Sequence, residues 1–257
     1  MIVTILQARM SSRRLPGKVL LPILGRPMLE LHIERLRRVR RVDALVLATS
    51  TDPSDDPVAE LGSRLGLGVY RGALDDVLDR YVQAARRAKA TTVLRTTGDC
   101  PLADPALIDA MVDAHLSGRY DYTSNSHRPT FPDGLDADVI EMTALERAWR
   151  EAALPSHREH VTLYFVEHPE SFKTLHFRQP DDLSFLRWTV DHAEDFALIR
   201  TIYERLYPGN PAFTTADILA LMESQPALKT ANAMHIRNAG WQSAFEKDRE
   251  WLKANRP

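Results

Sequence analysis

Buried-strand patterns alternate with amphipathic helix patterns through the first half of this chain. Short runs rich in β-branched and other apolar residues occupy 2–8, 44–50 and 91–96, with a further short run at 67–72. Segments with apolar residues three and four positions apart separate these runs: 26–39, 54–66, 73–88 and 104–116. This order is typical of βαβ units and predicts an α/β fold with a mostly parallel sheet. In such sheets a ligand lies beyond the carboxyl ends of the strands.

Two of these helices have recognisable start signals. Ser54 precedes the second helical pattern, with Pro57 in the first turn, and is expected to cap it. Asp104 with Pro105 directly after it gives the same signal for the helix at 104–116.

The second half of the chain is less regular. Strands are predicted at 137–143, 172–177 and 185–190, and helices at 144–152, 157–168, 191–207, 214–224 and 239–254. No linker or internal repeat separates these elements. We therefore expect one domain over 1–257, with 120–180 as a subdomain or dimerisation element and 210–257 as a helical extension.

Composition excludes several classes of protein. Cys100 is the only cysteine, so no disulfide forms within the chain, and a cytoplasmic location is the expectation. No apolar run approaches the ~20 residues that span a bilayer, and the N-terminus lacks the pattern of a signal peptide. The net charge of −2 argues against general nucleic-acid binding, and no membrane partner is expected.

The loop after the first strand is strongly cationic. Arg9, Arg13, Arg14 and Lys18 fall between serines and a glycine without a compensating acid. Arginine forks and a lysine ammonium suit phosphate oxygens, and a helix N-terminus following the loop would add its dipole. The loop matches neither the Walker nor the dinucleotide fingerprint. It predicts a phosphate site of another design, and the alternative is a surface loop with incidental arginines.

Two aspartates follow predicted strands. Asp99 comes directly after the run at 91–96, and Asp191 after the run at 185–190. Carboxylates in this position suit Mg²⁺, which prefers one or two carboxylates together with substrate phosphates. The alternatives are a turn role for Asp99 and helix capping for Asp191. If both strands belong to one sheet, the two carboxylates meet the cationic loop at the same edge.

Further polar residues carry weaker signals. Asp133, Gly134, Asp136 and Asp138 do not match a calcium loop and are typical of a turn that meets a polar substrate. His157 and His160 lie three residues apart in a segment that does not match the zinc-protease pattern, a spacing that could bind a metal. We expect instead that His160 contacts substrate or is a satisfied surface histidine.

Six segments, in the same order over residues 2 to about 200, together resemble one known family: QARMSSRRLPGKVL, VYRGALDDVLDRY, RTTGDCPLADPALID, PDGLDADV, REHVT and TVDHAEDF. The family comprises the cytidylyltransferases that activate acidic sugars, and the similarity is closest to the branch of the spore coat polysaccharide biosynthesis protein SpsF. The resemblance implies a Rossmann-like, GT-A-like α/β/α sandwich with a mostly parallel mixed sheet and a small inserted subdomain.

The resemblance also implies an activity and its site. The activity is Mg²⁺-dependent transfer of CMP from CTP to a sugar acid with release of pyrophosphate, in cell-surface polysaccharide or glycan biosynthesis. The residues implied in binding the nucleotide are Gln7, Ala8, Arg9, Ser12, Arg14, Lys18, Arg71 and Asp99. Arg14, Lys18 and Asp99 would be catalytic, and Asp99 and Asp191 would bind the metal. The residues implied in binding the sugar are Asp133, Gly134, Asp136 and His160.

Other interpretations remain open at the level of sequence. A nucleotide-sugar glycosyltransferase would use a D-x-D metal motif, for which Asp136 and Asp138 are the candidates. A non-catalytic nucleotide-binding partner protein would use the basic helix at 34–41. The apolar stripe in 137–180 is consistent with a homodimer and equally with a buried core.

Overall fold

The computed structural model describes residues 1–237 and 240–254. Its strands are β1 (Ile2–Gln7), β2 (Pro22–Ile23), β3 (Arg26–Pro27), β4 (Ala44–Ser50), β5 (Gly68–Gly72), β6 (Thr92–Thr97), β7 (Tyr122–Ser124), β8 (Asp138–Glu141) and β9 (Thr174–His176). Its α-helices are α1 (Met28–Leu36), α2 (Asp56–Arg64), α3 (Val77–Arg87), α4 (Pro105–Gly118), α5 (Met142–Glu151), α6 (Pro155–His160), α7 (Leu163–Glu167), α8 (Ala193–Leu206), α9 (Thr215–Ser224) and α10 (Gly240–Ala254).

Seven strands form one mixed sheet in the order β5-β4-β1-β6-β8-β7-β9. β5, β4, β1 and β6 are mutually parallel, and β8 runs against both of its neighbours. Gln7 at the end of β1 is in register with Ala48 of β4 and Thr97 of β6. The loops that leave β1 and β6 therefore begin side by side, at the edge where a ligand is expected.

Helices cover both faces of the sheet and form an α/β/α sandwich. One apolar cluster joins β1 and β6 to α3, α5 and α7, and a second joins β1 and β4 to α1, α2 and α4. A third cluster packs α8 and α9 against α1 and the β2–β3 hairpin. Residues 120–180 supply β7, β8 and β9 to the main sheet and α5, α6 and α7 to one face. Dimerisation through this segment stays a prediction.

Three local predictions are wrong. Asp52, rather than Ser54, accepts the capping hydrogen bond, in a 3₁₀ turn that precedes α2. The helix predicted at 157–168 is divided into α6 and α7 at Val161, whose φ of +52° ends the first helix. The segment 185–190 is not a strand, and Arg187 forms only an isolated bridge with Asp133. Its apolar residues pack toward α8 and α9 instead of alternating across the sheet.

Other local predictions are confirmed. Asp104 accepts from the N–H groups of Ala106 and Leu107 and caps α4. The helix predicted at 239–254 is α10, apart from residue 239, which lies outside the described residues, and α10 packs against α6. Within the described chain, every helix is too short or too polar to cross a bilayer.

Candidate active site

A cavity of about 300 Å³ lies at the carboxyl ends of β1 and β6. Its walls come from the loops that follow these strands and from α6 and α10. Apart from Arg13, the charged side chains fall into two groups. The carboxylate end consists of Arg14, Lys18, Asp99 and Asp191. The helix end consists of Arg9, Arg95, Glu159, His160 and Lys247.

The cationic loop is folded back on itself by its own backbone. The Met10 carbonyl oxygen accepts from the N–H groups of Ser12 at 2.8 Å and Gly17 at 2.9 Å. The Met10 N–H donates to the Asp55 carboxylate at 2.6 Å, which fixes the loop to the segment after β4. Gly17 has a φ of +70°, in the left-handed region that favours glycine. This turn brings the next residue, Lys18, into the cavity.

The sequence predicted a helix N-terminus directly after this loop, and that prediction is wrong. A single 3₁₀ turn, Lys18–Leu20, follows Gly17, and the short β2–β3 hairpin comes next. α1 begins only at Met28, whose N–H is bonded to the Leu21 carbonyl. The positive charge at this edge therefore comes from side chains rather than from a helix dipole.

Lys18 joins the two predicted aspartates. Its Nζ donates to Asp99 Oδ2 at 2.9 Å, to Asp191 Oδ1 at 2.9 Å and to the Val190 carbonyl at 2.6 Å. Arg14 also contacts Asp191 Oδ1, at 2.7 Å. The sequence expectation that loop and carboxylates converge is borne out in the geometry.

The pKa values of this cluster follow its charges. Burial alone would lower the pKa of Lys18, but Asp99 and Asp191 outweigh burial and raise it. Burial alone would raise the pKa of Asp191, but Lys18 and Arg14 hold it well below its usual range. The same balance, set mainly by Lys18, lowers the pKa of Asp99. Both carboxylates are therefore ionised at neutral pH.

Backbone contacts place both carboxylates. Gly98 N–H donates to the Gln7 carbonyl at 2.7 Å, and a Cβ at Gly98 would lie 2.9 Å from the Cβ of Ala8. Only glycine therefore lets the loop with Asp99 approach the end of β1 so closely. Val190 N–H donates to the Asp99 carbonyl at 2.8 Å. Asp191 thus reaches the site on an irregular segment bonded to the Asp99 loop.

Asp191 is not a capping residue, although its sequence context suggested one. His192 is the N-cap of α8 and shares a capping box with Asp195. The second oxygen of Asp191, Oδ2, instead accepts a hydrogen bond from Arg187 Nη2 at 3.1 Å. Arg187 is 7% exposed and also bonds Asp133 and Asp195. Arg187 was not predicted as a site residue. Its position within the apolar run 185–190 could have indicated a buried arginine paired with carboxylates.

The donor atoms at the carboxylate end suit a magnesium ion. Two carboxylate oxygens and the Val190 carbonyl surround one point, at which Lys18 Nζ lies. Hard oxygen ligands with room for phosphate oxygens are what Mg²⁺ prefers. Asp99 and Asp191 would hold the ion, with Lys18 displaced toward the phosphates.

One other group of metal-type side chains occurs in the described residues. His192, Glu194 and His235 have ligand atoms within 4.8 Å of one another. The two imidazole rings are stacked, with centroids 3.7 Å apart and planes at 3°. A metal binds in the plane of an imidazole, and two parallel planes do not share such a point. This arrangement is poorly suited to a common ion.

The remaining predicted residues divide between the cavity and its surroundings. Gln7, Ala8, Arg9, Ser12 and His160 line the cavity. Arg71 does not line it, and its guanidinium donates to the carbonyls of Ser50 and Asp52 and pairs with Asp56.

The acidic turn also lies outside the cavity lining. Asp133 pairs with Arg187, and Asp136 with Arg237 at 2.6 Å. A Cβ at Gly134 would meet the backbone of Trp188 and Thr189 at 2.4 Å, so this glycine serves close packing. Burial raises the pKa of Asp136 to about 6 against the opposing charge of Arg237.

The helix end was largely missed from sequence. Arg95 projects from β6 and donates to Asp138 at 2.7 Å, and Lys247 of α10 donates to Glu159 of α6 at 2.7 Å. An arginine inside the apolar strand pattern was a signal for Arg95. Glu159 lies in the REHVT segment, but no signal linked it to Lys247, because their meeting depends on how α10 packs against α6.

The model of the cytidylyltransferase family matches residues 3–208. This chain is a member of the cytidylyltransferase family. The resemblance seen in the sequence is thereby confirmed, and the protein is a nucleotidyltransferase.

Relatives of this cytidylyltransferase support the assignment along most of its length. It is 33% identical over 236 residues to the spore coat polysaccharide biosynthesis protein SpsF of Bacillus subtilis, covering 89% of this chain and 97% of SpsF. A solved cytidylyltransferase from Leptospira borgpetersenii superimposes with a TM-score of 0.84 at 32% identity, covering 89% of this chain and 96% of that one.

The fold is also that of a more distant solved structure. CMP:2-keto-3-deoxy-manno-octonic acid synthetase, solved in complex with CTP, superimposes with a TM-score of 0.63 at 18% identity. The match covers 79% of the present cytidylyltransferase and 98% of the synthetase. The predicted α/β nucleotidyltransferase fold is confirmed.

Proposed function

We propose that this cytidylyltransferase transfers CMP from CTP to a sugar acid, with Mg²⁺ and release of pyrophosphate. The product would enter cell-surface polysaccharide or glycan biosynthesis. The similarity to SpsF, named for spore coat polysaccharide biosynthesis, supports this pathway class. A cytoplasmic site of action, where CTP is available, is part of the proposal.

One observation carries the proposal: Lys18, from the loop after β1, lies 2.9 Å from both Asp99 and Asp191 in one cavity. A nucleoside triphosphate needs cations for its phosphates and carboxylates for its metal. These requirements are met within one cavity at the carboxyl ends of parallel strands. Arg9, Arg13 and Arg14 line the same cavity and add positive charge.

The reaction would be an in-line displacement at the α-phosphorus of CTP. A hydroxyl oxygen of the sugar acid forms the new bond to phosphorus, the bond to the β-phosphate bridging oxygen breaks, and the hydroxyl proton passes to solvent. Lys18 and Arg14 stabilise charge on the phosphate oxygens. A bound Mg²⁺ would supply further positive charge at the α-phosphate. The residues act by positioning and electrostatics.

No protein nucleophile is needed, and Cys100 is unsuited to be one. Its thiol is 5% exposed, and burial raises its pKa well above the usual value.

The test is a pyrophosphate-release assay of the purified protein with Mg²⁺. Four NTPs are each combined with a panel of 2-keto-3-deoxy sugar acids, and the nucleotide-sugar product is identified by mass spectrometry. We expect turnover with CTP and at least one acid, and none without the acid. Absence of turnover in every combination would contradict the proposal.

The glycosyltransferase alternative has less support from the geometry. Asp138, one half of its D-x-D candidate, is fully buried and bonded to Arg95 and Tyr122. Asp136, the other half, pairs with Arg237. Hydrolysis or transfer of an intact nucleotide-sugar, without pyrophosphate release, would favour that alternative. Nucleotide binding with no turnover of any kind would favour a non-catalytic partner protein.

A further inference from the structure

The helix end of the cavity includes a side chain from beyond the family core. The family model ends at residue 208, and Lys247 lies in α10 (Gly240–Ala254). Lys247 nevertheless lines the cavity and donates to Glu159 Oε2 at 2.7 Å. The C-terminal helix is therefore part of the wall of the candidate active site.

α10 is held in this position by buried contacts with α6. The Asp248 carboxylate accepts from the Ser156 N–H at 2.9 Å, and Asp248 is 6% exposed. Ala244, one turn earlier, is 1% exposed. Because Asp248 faces α6, its neighbour Lys247 projects to a different side of the helix, toward the cavity.

Cations outnumber acids at the helix end. Arg9, Arg95 and Lys247 line it together with His160, against the two acids Glu159, in the lining, and Asp138, which pairs with Arg95. Arg95 pairs with the buried carboxylate of Asp138, yet its Nε is a buried donor with no hydrogen-bond partner. Glu159 is already shared, at 3.9 Å from Arg9 as well as bonded to Lys247. The group at the helix end that still lacks a hydrogen-bond partner, Arg95 Nε, is therefore a donor, which suits an anionic ligand.

We propose that Lys247 and Arg95 bind the carboxylate of the acceptor, so that α10 selects acidic sugars over neutral ones. The inference rests on the proposed function and assigns a substrate group to a second part of its cavity. The triphosphate and its metal are assigned to the carboxylate end, and the acceptor is assigned to the helix end of the same cavity. On binding, the acceptor carboxylate takes the place of Glu159 on the Lys247 ammonium group.

Steady-state kinetics of Lys247→Met test this assignment. The substitution removes the charge and keeps the length of a side chain that is 42% exposed, so the fold is retained. We expect the KM for the sugar acid to rise about 10- to 100-fold, as for loss of a charge-assisted contact, with the KM for CTP changed less than about twofold. Lys247→Arg should restore most of the acid affinity. Lys253→Met, on the same helix, is the matched control and should behave as wild type.

A neutral acceptor provides a second comparison. The carboxamide of the same sugar has no negative charge, so wild type should bind it about as weakly as Lys247→Met binds the acid. Lys247→Met should bind the carboxamide no more weakly than wild type does. An increase in the KM for CTP instead of the acid would place a nucleotide phosphate at Lys247 and overturn the assignment.

Calorimetric titration separates this inference from the proposed function. The sugar acid is titrated into wild type and Lys247→Met, each saturated with CMP. Equal affinities, or no binding to wild type, would overturn the inference whether or not turnover is observed. Weaker binding by Lys247→Met would support it, even if pyrophosphate release failed and the proposed chemistry had to be abandoned.

Discussion

The two ends of the cavity are built in different ways. At the carboxylate end, a lysine that is 8% exposed joins two aspartates through loops fixed to adjacent strands. At the helix end, a lysine that is 42% exposed meets a glutamate across two peripheral helices. The first arrangement centres on a buried lysine within the matched residues 3–208, and the second is more exposed and extends beyond them. Under the proposed function, the nucleotide chemistry would lie on the sheet and acceptor recognition on the peripheral helices.

The difference between the two ends should have its largest effect on the free energy of unfolding of variants. Arg187 is a buried cation that joins Asp133, Asp191 and Asp195 beneath the carboxylate end. Arg187→Met removes the cation paired with the fully buried Asp195 and one of the cations that Asp133 and Asp191 contact, so we expect a loss of about 3–5 kcal/mol in the free energy of unfolding. Lys247→Met, the same kind of change at the helix end, should cost less than about 1 kcal/mol. Urea denaturation at pH 7 measures both, and equal losses would remove the distinction between the ends.

Activity should show the next largest effect. Asp99→Asn keeps the shape of the side chain but removes the charge that would hold the metal. We expect kcat/KM for CTP to fall about 10²- to 10³-fold. Asp113→Asn, at an exposed carboxylate paired with Arg41, is the control and should leave kcat/KM unchanged. An Asp99→Asn enzyme with full Mg²⁺-dependent activity would exclude this carboxylate from the site.

A smaller effect is expected where the Asp99 loop packs closely against the end of β1. Gly98→Ala places a Cβ 2.9 Å from Ala8 Cβ and 3.3 Å from the Gln7 carbonyl oxygen. We expect a loss of about 1–3 kcal/mol in stability and reduced turnover, because the Asp99 loop must move away from β1. In Gly68→Ala the new Cβ meets Val46 at 3.6 Å, an ordinary contact, and both properties should change little. Thermal denaturation and pyrophosphate release compare the two variants.

The smallest effect is confined to low pH. Because Lys18 and Arg14 lower the pKa of Asp191 below its ordinary value of 3.8, the carboxylate stabilises the fold above that pH. This contribution is lost as pH falls through the lowered folded-state pKa. The stability difference between wild type and Asp191→Asn should therefore be constant above about pH 5 and shrink below pH 4. Urea denaturation between pH 6 and pH 2.5 measures it, and a difference that does not change with pH would contradict the assigned ion pairs.

Much of the carboxylate end could be predicted because its signals are local. The cationic loop and Asp99 each follow an apolar strand, and parallel strands bring their ends together. The position of Asp191 beside the cationic loop was predicted correctly, but the reason was partly wrong. The segment 185–190 is not a strand of the sheet, and it is bonded to the Asp99 loop through the Val190 N–H. The prediction that a helix dipole contributes to this site was wrong, because the β2–β3 hairpin separates the loop from α1.

The helix end could not be predicted in the same way. Glu159 and Lys247 are 88 residues apart, and their pairing depends on tertiary packing of α10 against α6. Arg71 and Asp136 illustrate the converse, since their motif context suggested ligand contact, whereas both lie outside the lining of the cavity. A motif identifies residues of a site more readily than it identifies what each side chain touches.

A crystal structure with CTP and Mn²⁺, in which anomalous scattering locates the metal, tests whether Asp99 and Asp191 form a metal site beside the triphosphate. We expect a manganese peak bonded to Asp99 and Asp191 and to an α-phosphate oxygen, with Lys18 moved from the carboxylates to the phosphates. A peak at His192, Glu194 and His235, or a triphosphate bound outside the cavity, would contradict it.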